Sequence, residues 1–300
     1  MASESSYYVP ESSWFPVVTA TAMGLLAVGG GLAVQGRTGL PLLVGLALLA
    51  VVLFCWFSTV IDENMKGLPS AQLKRSYVMG MGWFIFSEVM FFAAFFGALF
   101  YVRVFAVPWL GGEGDKAMTN ELLWQGFEPQ WPVMQTPDQA VGGSKFVAPH
   151  ENMGFPGWDR FLGWLPLWNT LILLTSSWTV HIAHHALKHD NRARFNLFLA
   201  ITVALGLIFI GVQYVEYHEA YVEMGLTLQS GIYGTTFFML TGFHGFHVCM
   251  GTFMLLIQLI RGLKGHFKPD DQFGFEASSW YWHFVDVVWV GLFIFVYVLG

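Results

Sequence analysis

Charge is scarce in this sequence: Lys, Arg, Asp and Glu make up 11% of its 300 residues, against roughly 25% in a soluble domain. That shortage excludes a soluble globular fold. Positive charge is scarcer still, 14 Lys and Arg against 20 Asp and Glu for a formal net charge of −6. No basic cluster offers itself to phosphates, which excludes nucleic acid as a partner. The 2 cysteines, Cys55 and Cys249, both lie in apolar runs, so they carry no disulfide signal and form no CxxC metal motif. There is no internal repeat, no nucleotide-binding Gly loop and no stretch that reads as a separate soluble domain. The N-terminal string MASESSYYVPESSWFP lacks a basic n-region and does not read as a cleaved signal peptide.

Apolar and aromatic residues fill the space that charge leaves, at 55% and 17% of the chain. Seven apolar segments stand out: Phe15–Val34, Leu40–Val60, Tyr77–Val107, Leu165–Leu187, Phe195–Tyr217, Gly231–Ile260 and Ser279–Leu299. A helical crossing uses about 20 residues, so the chain reads as one all-α, polytopic membrane domain over residues 1–300. The third and sixth segments exceed one crossing, which implies tilt or extension beyond the bilayer. Lys66, Lys74 and Arg75, then Lys188, Arg192 and Arg194, then Arg261, Lys264 and Lys268 all fall in connections on one side. By the positive-inside rule the N-terminus is cytoplasmic and the C-terminus lies on the opposite, periplasmic face. Residues 108–163 form one extended outer-face loop, rich in Gly, Pro and Trp, that is expected to pack as a cap.

Within the run Trp83–Tyr101 the only ionisable residue is Glu88. A charge buried in the bilayer costs roughly 2.5–3.5 kcal/mol on insertion scales. Glu88 is therefore either a neutral acid that takes and gives a proton or a protonated group bonded to a neighbouring helix. His181, His184, His185 and His189 recur at spacings of three and four and make a stripe on one face. The HxxHH within that stripe resembles a membrane di-iron box, but the other cluster, His244 and His247, is only an HxxH. An interfacial His cluster is the favoured reading of the first. Bonds to a neighbouring helix are the favoured reading of the second, over haem or copper ligation. Gln213, Glu216, His218 and Glu219 mark the end of the fifth segment and read as a solvated helix end. His283 and Asp286 are three apart and can meet on one face, where they would relay protons or pin the seventh helix. Trp280, Tyr281 and Trp282 suit an interfacial aromatic belt.

The strings SEVMFFAAFFGALFY, WTVHIAHHAL, YGTTFFMLTGFHGFHV and FGFEASSWYWHFVDVVW resemble subunit III of haem–copper cytochrome c oxidase, and the likeness runs through all seven segments in order. It implies seven transmembrane helices in two bundles, 1–2 and 3–7, separated by a lipid-filled cleft. It further implies an accessory subunit of a proton-pumping terminal oxidase in a bacterial cytoplasmic membrane, with no cofactor and no catalytic residue of its own. Haem and copper would reside in partner subunits, namely the catalytic subunit I and the copper-bearing subunit II. Cytochrome c would be the electron donor, and bound phospholipids the small-molecule partners. Under the same resemblance Glu88 matches a membrane-embedded, carbodiimide-reactive carboxylate, Arg261 a lipid-phosphate contact and Trp56 an aromatic lining the lipid cleft. His244, His247, His283 and Asp286 form a candidate polar network. Where the family often carries Trp-Trp-Arg-Asp, this chain has Cys55, Trp56, Phe57 and Ser58, so one headgroup contact is missing.

Three competing readings differ in kind. Quinol-oxidase and nitric oxide reductase relatives generally lack the first two segments, which this chain has. A free-standing di-iron oxygenase would use His181, His184, His185, His244 and His247. A proton-coupled transporter would use Glu88, but no pair of broken helices or repeat symmetry supports it.

Overall fold

The computed structural model describes residues 8–9, 12–268 and 271–300. The start of the N-terminal string read for a signal peptide lies outside the described residues. Among the described residues seven long helices carry the fold: α1 (Phe15–Val34), α2 (Leu40–Met65), α3 (Ala71–Tyr101), α4 (Leu165–Lys188), α5 (Arg192–Val222), α6 (Gly231–Leu263) and α7 (Phe273–Leu292). A π-helical turn, Val102–Ala106, carries α3 on to Leu110, and another, Phe293–Val298, prolongs α7. The only strand-like pairing among the described residues is an isolated bridge between Lys268 and Asp271. The all-α class follows from the environment: in hydrocarbon every backbone polar group must be satisfied within its own segment.

Proline opens α1, α2 and α4, at a position whose N–H has no intrahelical partner in any case. Asn191 caps α5 by accepting from the Arg194 N–H at 3.1 Å. Several helices outrun the apolar segments that announce them. α2 continues past Val60 to Met65, and α7 begins at Phe273 rather than Ser279. Backbone hydrogen bonding continues into polar flanks, which hydropathy does not register.

Six helices are long and apolar enough to cross a membrane among the described residues: α1, α2, α3 through Leu110, α5, α6 and α7 through Val298. The seventh, α4, has 24 residues, about 36 Å of helix. Its composition is diluted by Asn169, Thr170, Ser176 and Thr179, all buried. The three hydroxyls are satisfied internally. Thr179 meets Thr202 of α5 at 2.8 Å, and Thr170 and Ser176 bond carbonyls of their own helix.

The chain forms two compact units, Met1–Gly80 and Met81–Gly300. In the first, α1 and α2 pack as an antiparallel hairpin. A Cβ on Gly45 would come within 2.9 Å of the Leu26 nitrogen and 3.1 Å of the Ala22 carbonyl, so glycine is what lets the backbones approach. Phe15 stacks on Trp56 at 5.8 Å.

In the second unit α4, α5, α6 and α7 pack around two indoles of α7. Trp282 is fully buried and donates its Nε1–H to Ser176 Oγ of α4 at 3.0 Å. Its ring lies against Gly206 of α5 and Gly251 of α6, where an added Cβ would come within 3.0 and 2.8 Å of it. Trp289, two turns on and also fully buried, donates to Thr170 Oγ1 at 2.9 Å and packs edge-on against Phe209 of α5. Trp282 and Tyr281 are thus core residues and not members of an interfacial belt, with Tyr281 at 4% exposure. The rest of α3 meets α6 and α7 through Phe84–Tyr281, Phe91–Phe243 and Phe92–Phe284 ring contacts.

The 108–163 segment is folded. The Asn120 amide donates to the Trp124 and Phe127 carbonyls, and Thr136 and Gln139 form a capping box. His150 N–H donates to Met224 O at 2.8 Å and Met153 N–H to Tyr233 Oη at 3.0 Å, which ties the segment to the α5–α6 connection and the start of α6.

Removing the Trp282 side chain leaves a large cavity, so Trp282→Ala is expected to lower stability by about 3–5 kcal/mol. Ser176→Ala strands a buried indole N–H and is expected to lower it by about 1–3 kcal/mol. Unfolding of the detergent-solubilised protein followed by helical circular dichroism checks both. Unchanged midpoints would contradict the clamp.

Candidate functional site

The apolar layer between α3, α6 and α7 holds a polar pair. Glu88 of α3 places Oε2 2.9 Å from His247 Nε2 of α6, and the two side chains are 23% and 8% exposed. His247 Nδ1 lies 2.6 Å from the Phe243 carbonyl one turn earlier. A carbonyl only accepts, so Nδ1 carries a hydrogen, a tautomer assigned from its partners. Nε2 and Glu88 Oε2 then share one further proton, as acid and imidazole or as carboxylate and imidazolium. Either way the pair is net neutral, which is what a low-dielectric layer favours. Phe92, Phe284 and Tyr281 pack around the imidazole at 5.0 to 6.2 Å between ring centroids. The HxxH thus supplies a partner for the lone acid of α3.

The other histidines do not join this pair. His244 Nε2 faces the Val285 carbonyl of α7 at 3.2 Å. His283 Nδ1 is 3.5 Å from Asp286 Oδ2, but its hydrogen bond goes across to Ser177 Oγ of α4 at 2.9 Å. Asp286 is 5% exposed, and neither carboxylate oxygen has a hydrogen-bond partner among the described residues. His184 Nε2 meets Glu276 Oε1 at 3.2 Å, and His185 stacks on His189 at 4.2 Å. Four of the five histidines of the di-iron reading, His184, His185, His244 and His247, are therefore dispersed over separate partners. Among the described residues no three His, Cys, Asp or Glu groups are placed to share a metal ion.

Arg261, near the end of α6, is 9% exposed. Its Nη1 donates to Gln258 Oε1 at 3.2 Å and its guanidinium lies 4.9 Å over the Phe267 ring. Gly274 of α7 leaves room for it, since a Cβ there would come within 2.6 Å of Nη1. Its Nε–H has no hydrogen-bond partner among the described residues. Trp56 belongs to the first unit, where Phe15 covers one face of its indole.

Sequence reasoning missed a second carboxyl. Glu216 reads as part of a solvated helix end, yet it is completely buried and accepts the Tyr297 O–H at 2.5 Å. The available signal was its spacing of three from Gln213, which places both on one face of α5.

All of this defines a polytopic helical membrane protein whose described histidines are spread over separate partners. The model of the family described as cytochrome c oxidase subunit III matches residues 5–115 and 159–300. "Cytochrome c oxidase subunit 3" of Latimeria chalumnae is 36% identical over 296 residues, covering 98% of this chain and 97% of that protein. Those of Scyliorhinus canicula and Danio rerio are 35% and 34% identical with the same coverage. The chain belongs to the cytochrome c oxidase subunit III family. It is a multi-pass membrane protein and an accessory subunit of that oxidoreductase complex, without a catalytic centre or redox cofactors of its own. The unmatched residues 116–158 lie within the folded 108–163 segment.

Glu88→Gln retains a side chain able to bond His247 Nε2 and is expected to leave stability nearly unchanged. Glu88→Leu leaves that nitrogen unpaired and is expected to lower stability by about 1–3 kcal/mol. Thermal unfolding of the assembled complex separates the two, and equal midpoints would contradict the pairing.

Proposed function

We propose that this subunit stabilises the turnover of its catalytic partner by two means, a proton-sharing pair within the membrane and anchored phospholipid. The observation that carries the first is the Glu88–His247 contact at 2.9 Å. A pair that already holds one mobile proton in an apolar layer supports proton uptake without moving net charge. Electron transfer has no part in it, because the redox groups, haem and copper, belong to subunits I and II and cytochrome c supplies the electrons to the complex. Glu88→Gln therefore leaves assembly and most oxygen reduction intact.

The second means rests on Arg261 and Trp56. A guanidinium held between Gln258 and Phe267 near the end of α6 suits the phosphate oxygens of a lipid headgroup. Trp56 would offer an aromatic surface to the acyl region. A seventh crossing by α4, whose buried hydroxyls and amide turn toward the bundle, is part of this reading. His244, His283 and Asp286 would serve as the supporting polar network, with Ser177 as a fourth member. The basic connections would face the cytoplasm of a bacterial inner membrane, with the C-terminus and the 108–163 loop on the periplasmic side.

Arg261→Ala is expected to reduce the phospholipid retained by the purified oxidase and to shorten the number of turnovers before inactivation, while the initial rate stays near that of the unaltered complex. Phosphorus analysis and a progress curve check it. Unchanged lipid content together with an unchanged lifetime would contradict the assignment.

A further inference from the structure

Among the described residues Glu216 is the one completely buried carboxyl in the second unit that the proposed function does not use. Three helices converge on it. Asn169 comes from α4, Gln213 and Glu216 from α5, and Tyr297 from the extension of α7. Asn169 and Glu216 are both at 0% exposure and Gln213 at 8%. Asn169 Nδ2 donates to Gln213 Oε1 at 3.4 Å, and Tyr297 Oη–H donates to Glu216 Oε1 at 2.5 Å. Gln213 and Glu216 are one turn apart on the same face of α5.

These bonds leave three polar atoms without a hydrogen bond of good geometry, Asn169 Oδ1, Gln213 Nε2 and Glu216 Oε2, with the Gln213 amide close to the Glu216 carboxyl. A buried polar atom without a partner costs about 1–3 kcal/mol, so three in one cluster point to a common ligand. Their chemistry selects its class. No cation lies within contact of Glu216 among the described residues, and an isolated ionised carboxylate is the costliest group to bury. As the neutral acid, Oε2 bears a hydrogen and becomes a donor. The open valences are then two donors, Glu216 O–H and Gln213 N–H, and one acceptor, Asn169 Oδ1. Water accepts twice and donates twice, so a single molecule satisfies all three and keeps one hydrogen free. A metal cation would be repelled by the two donors, and a larger anion would reintroduce the buried charge.

Space exists beside the cluster. Gln213 lines an open groove of about 200 Å³ between α5 and α6, with Phe209, Tyr217, Gly242 and Gly245. A single water occupies roughly 10–15 Å³ of such space. The amide thus stands between the groove and the acid.

We infer that Asn169, Gln213, Glu216 and Tyr297 form an internal hydration site, in which a water bridges the two amides to a protonated, exchangeable Glu216. This site is separate from the Glu88–His247 pair and does not depend on the function proposed above.

Infrared spectra of the intact purified oxidase, unaltered minus Glu216→Gln, test it. A carboxylic-acid C=O band present only in the unaltered complex is expected, and it moves to lower frequency in D2O as the site exchanges. Tyr297→Phe removes one donor to that carbonyl and is expected to raise the frequency of the same band. This variant carries the test if Glu216→Gln does not assemble. A density map of the complex fine enough to show ordered water is expected to place a peak within hydrogen-bond distance of Asn169 Oδ1 and Glu216 Oε2. Loss of a carboxylate stretch in place of the acid band would overturn the inference. So would a band indifferent to both D2O and Tyr297→Phe, or a map at that detail with no peak.

Discussion

Two tryptophans of α7 hold the second unit in register. Trp282 and Trp289 are each fully buried and each donates its single N–H to a hydroxyl of α4. An indole in a membrane interior has one polar group and a broad apolar body, so it is stable only where both are met. Ser176 and Thr170 meet the first requirement, while Gly206, Gly251 and Phe209 meet the second. Because lipid is as apolar as the side chains, burial alone does not drive helices together here. Close packing and these directional bonds set the azimuth of α7.

That azimuth decides what every other polar group can reach. With α7 so turned, the Val285 carbonyl faces His244, Tyr281 and Phe284 enclose His247, and Tyr297 reaches Glu216. The outcome is a bundle whose ionisable groups are separated into small sets. Glu88 is matched by an imidazole, Glu216 by a phenol and Glu276 by His184. A redox-metal centre needs ligands that converge. This architecture keeps its histidines apart and turns them to other work, which accords with the accessory place of the family in its complex.

Much of the fold was legible in the sequence, because apolar segments long enough to cross a bilayer announce themselves by length and composition. The helix starts at Phe15, Leu40, Leu165 and Gly231 coincide with the segment starts. The isolated Glu88 was legible for the same reason, since one acid in a long apolar run stands out. Hydropathy reports depth along the membrane normal and says little about azimuth. For that reason Trp282 read as a belt residue and Glu216 as a solvated one, although both are buried. The pairing of Glu88 with His247 joins positions 159 residues apart, and no local pattern encodes a meeting at that separation. The internal order of the 108–163 segment was equally hidden, because it depends on amides such as Asn120 and Gln139 folding back on nearby carbonyls and N–H groups.

On the proposed function, this chain works as a companion to metal-bearing partners, and its buried acids handle protons and not electrons. Gentle purification through a tag on this subunit, followed by the visible spectrum, metal analysis and subunit composition of what accompanies it, tests that most directly. The account predicts haem and copper in the complex on larger partners, and neither on this chain once it is separated from them. Iron or copper remaining bound in stoichiometric amount to the separated chain, on its histidines, would contradict it.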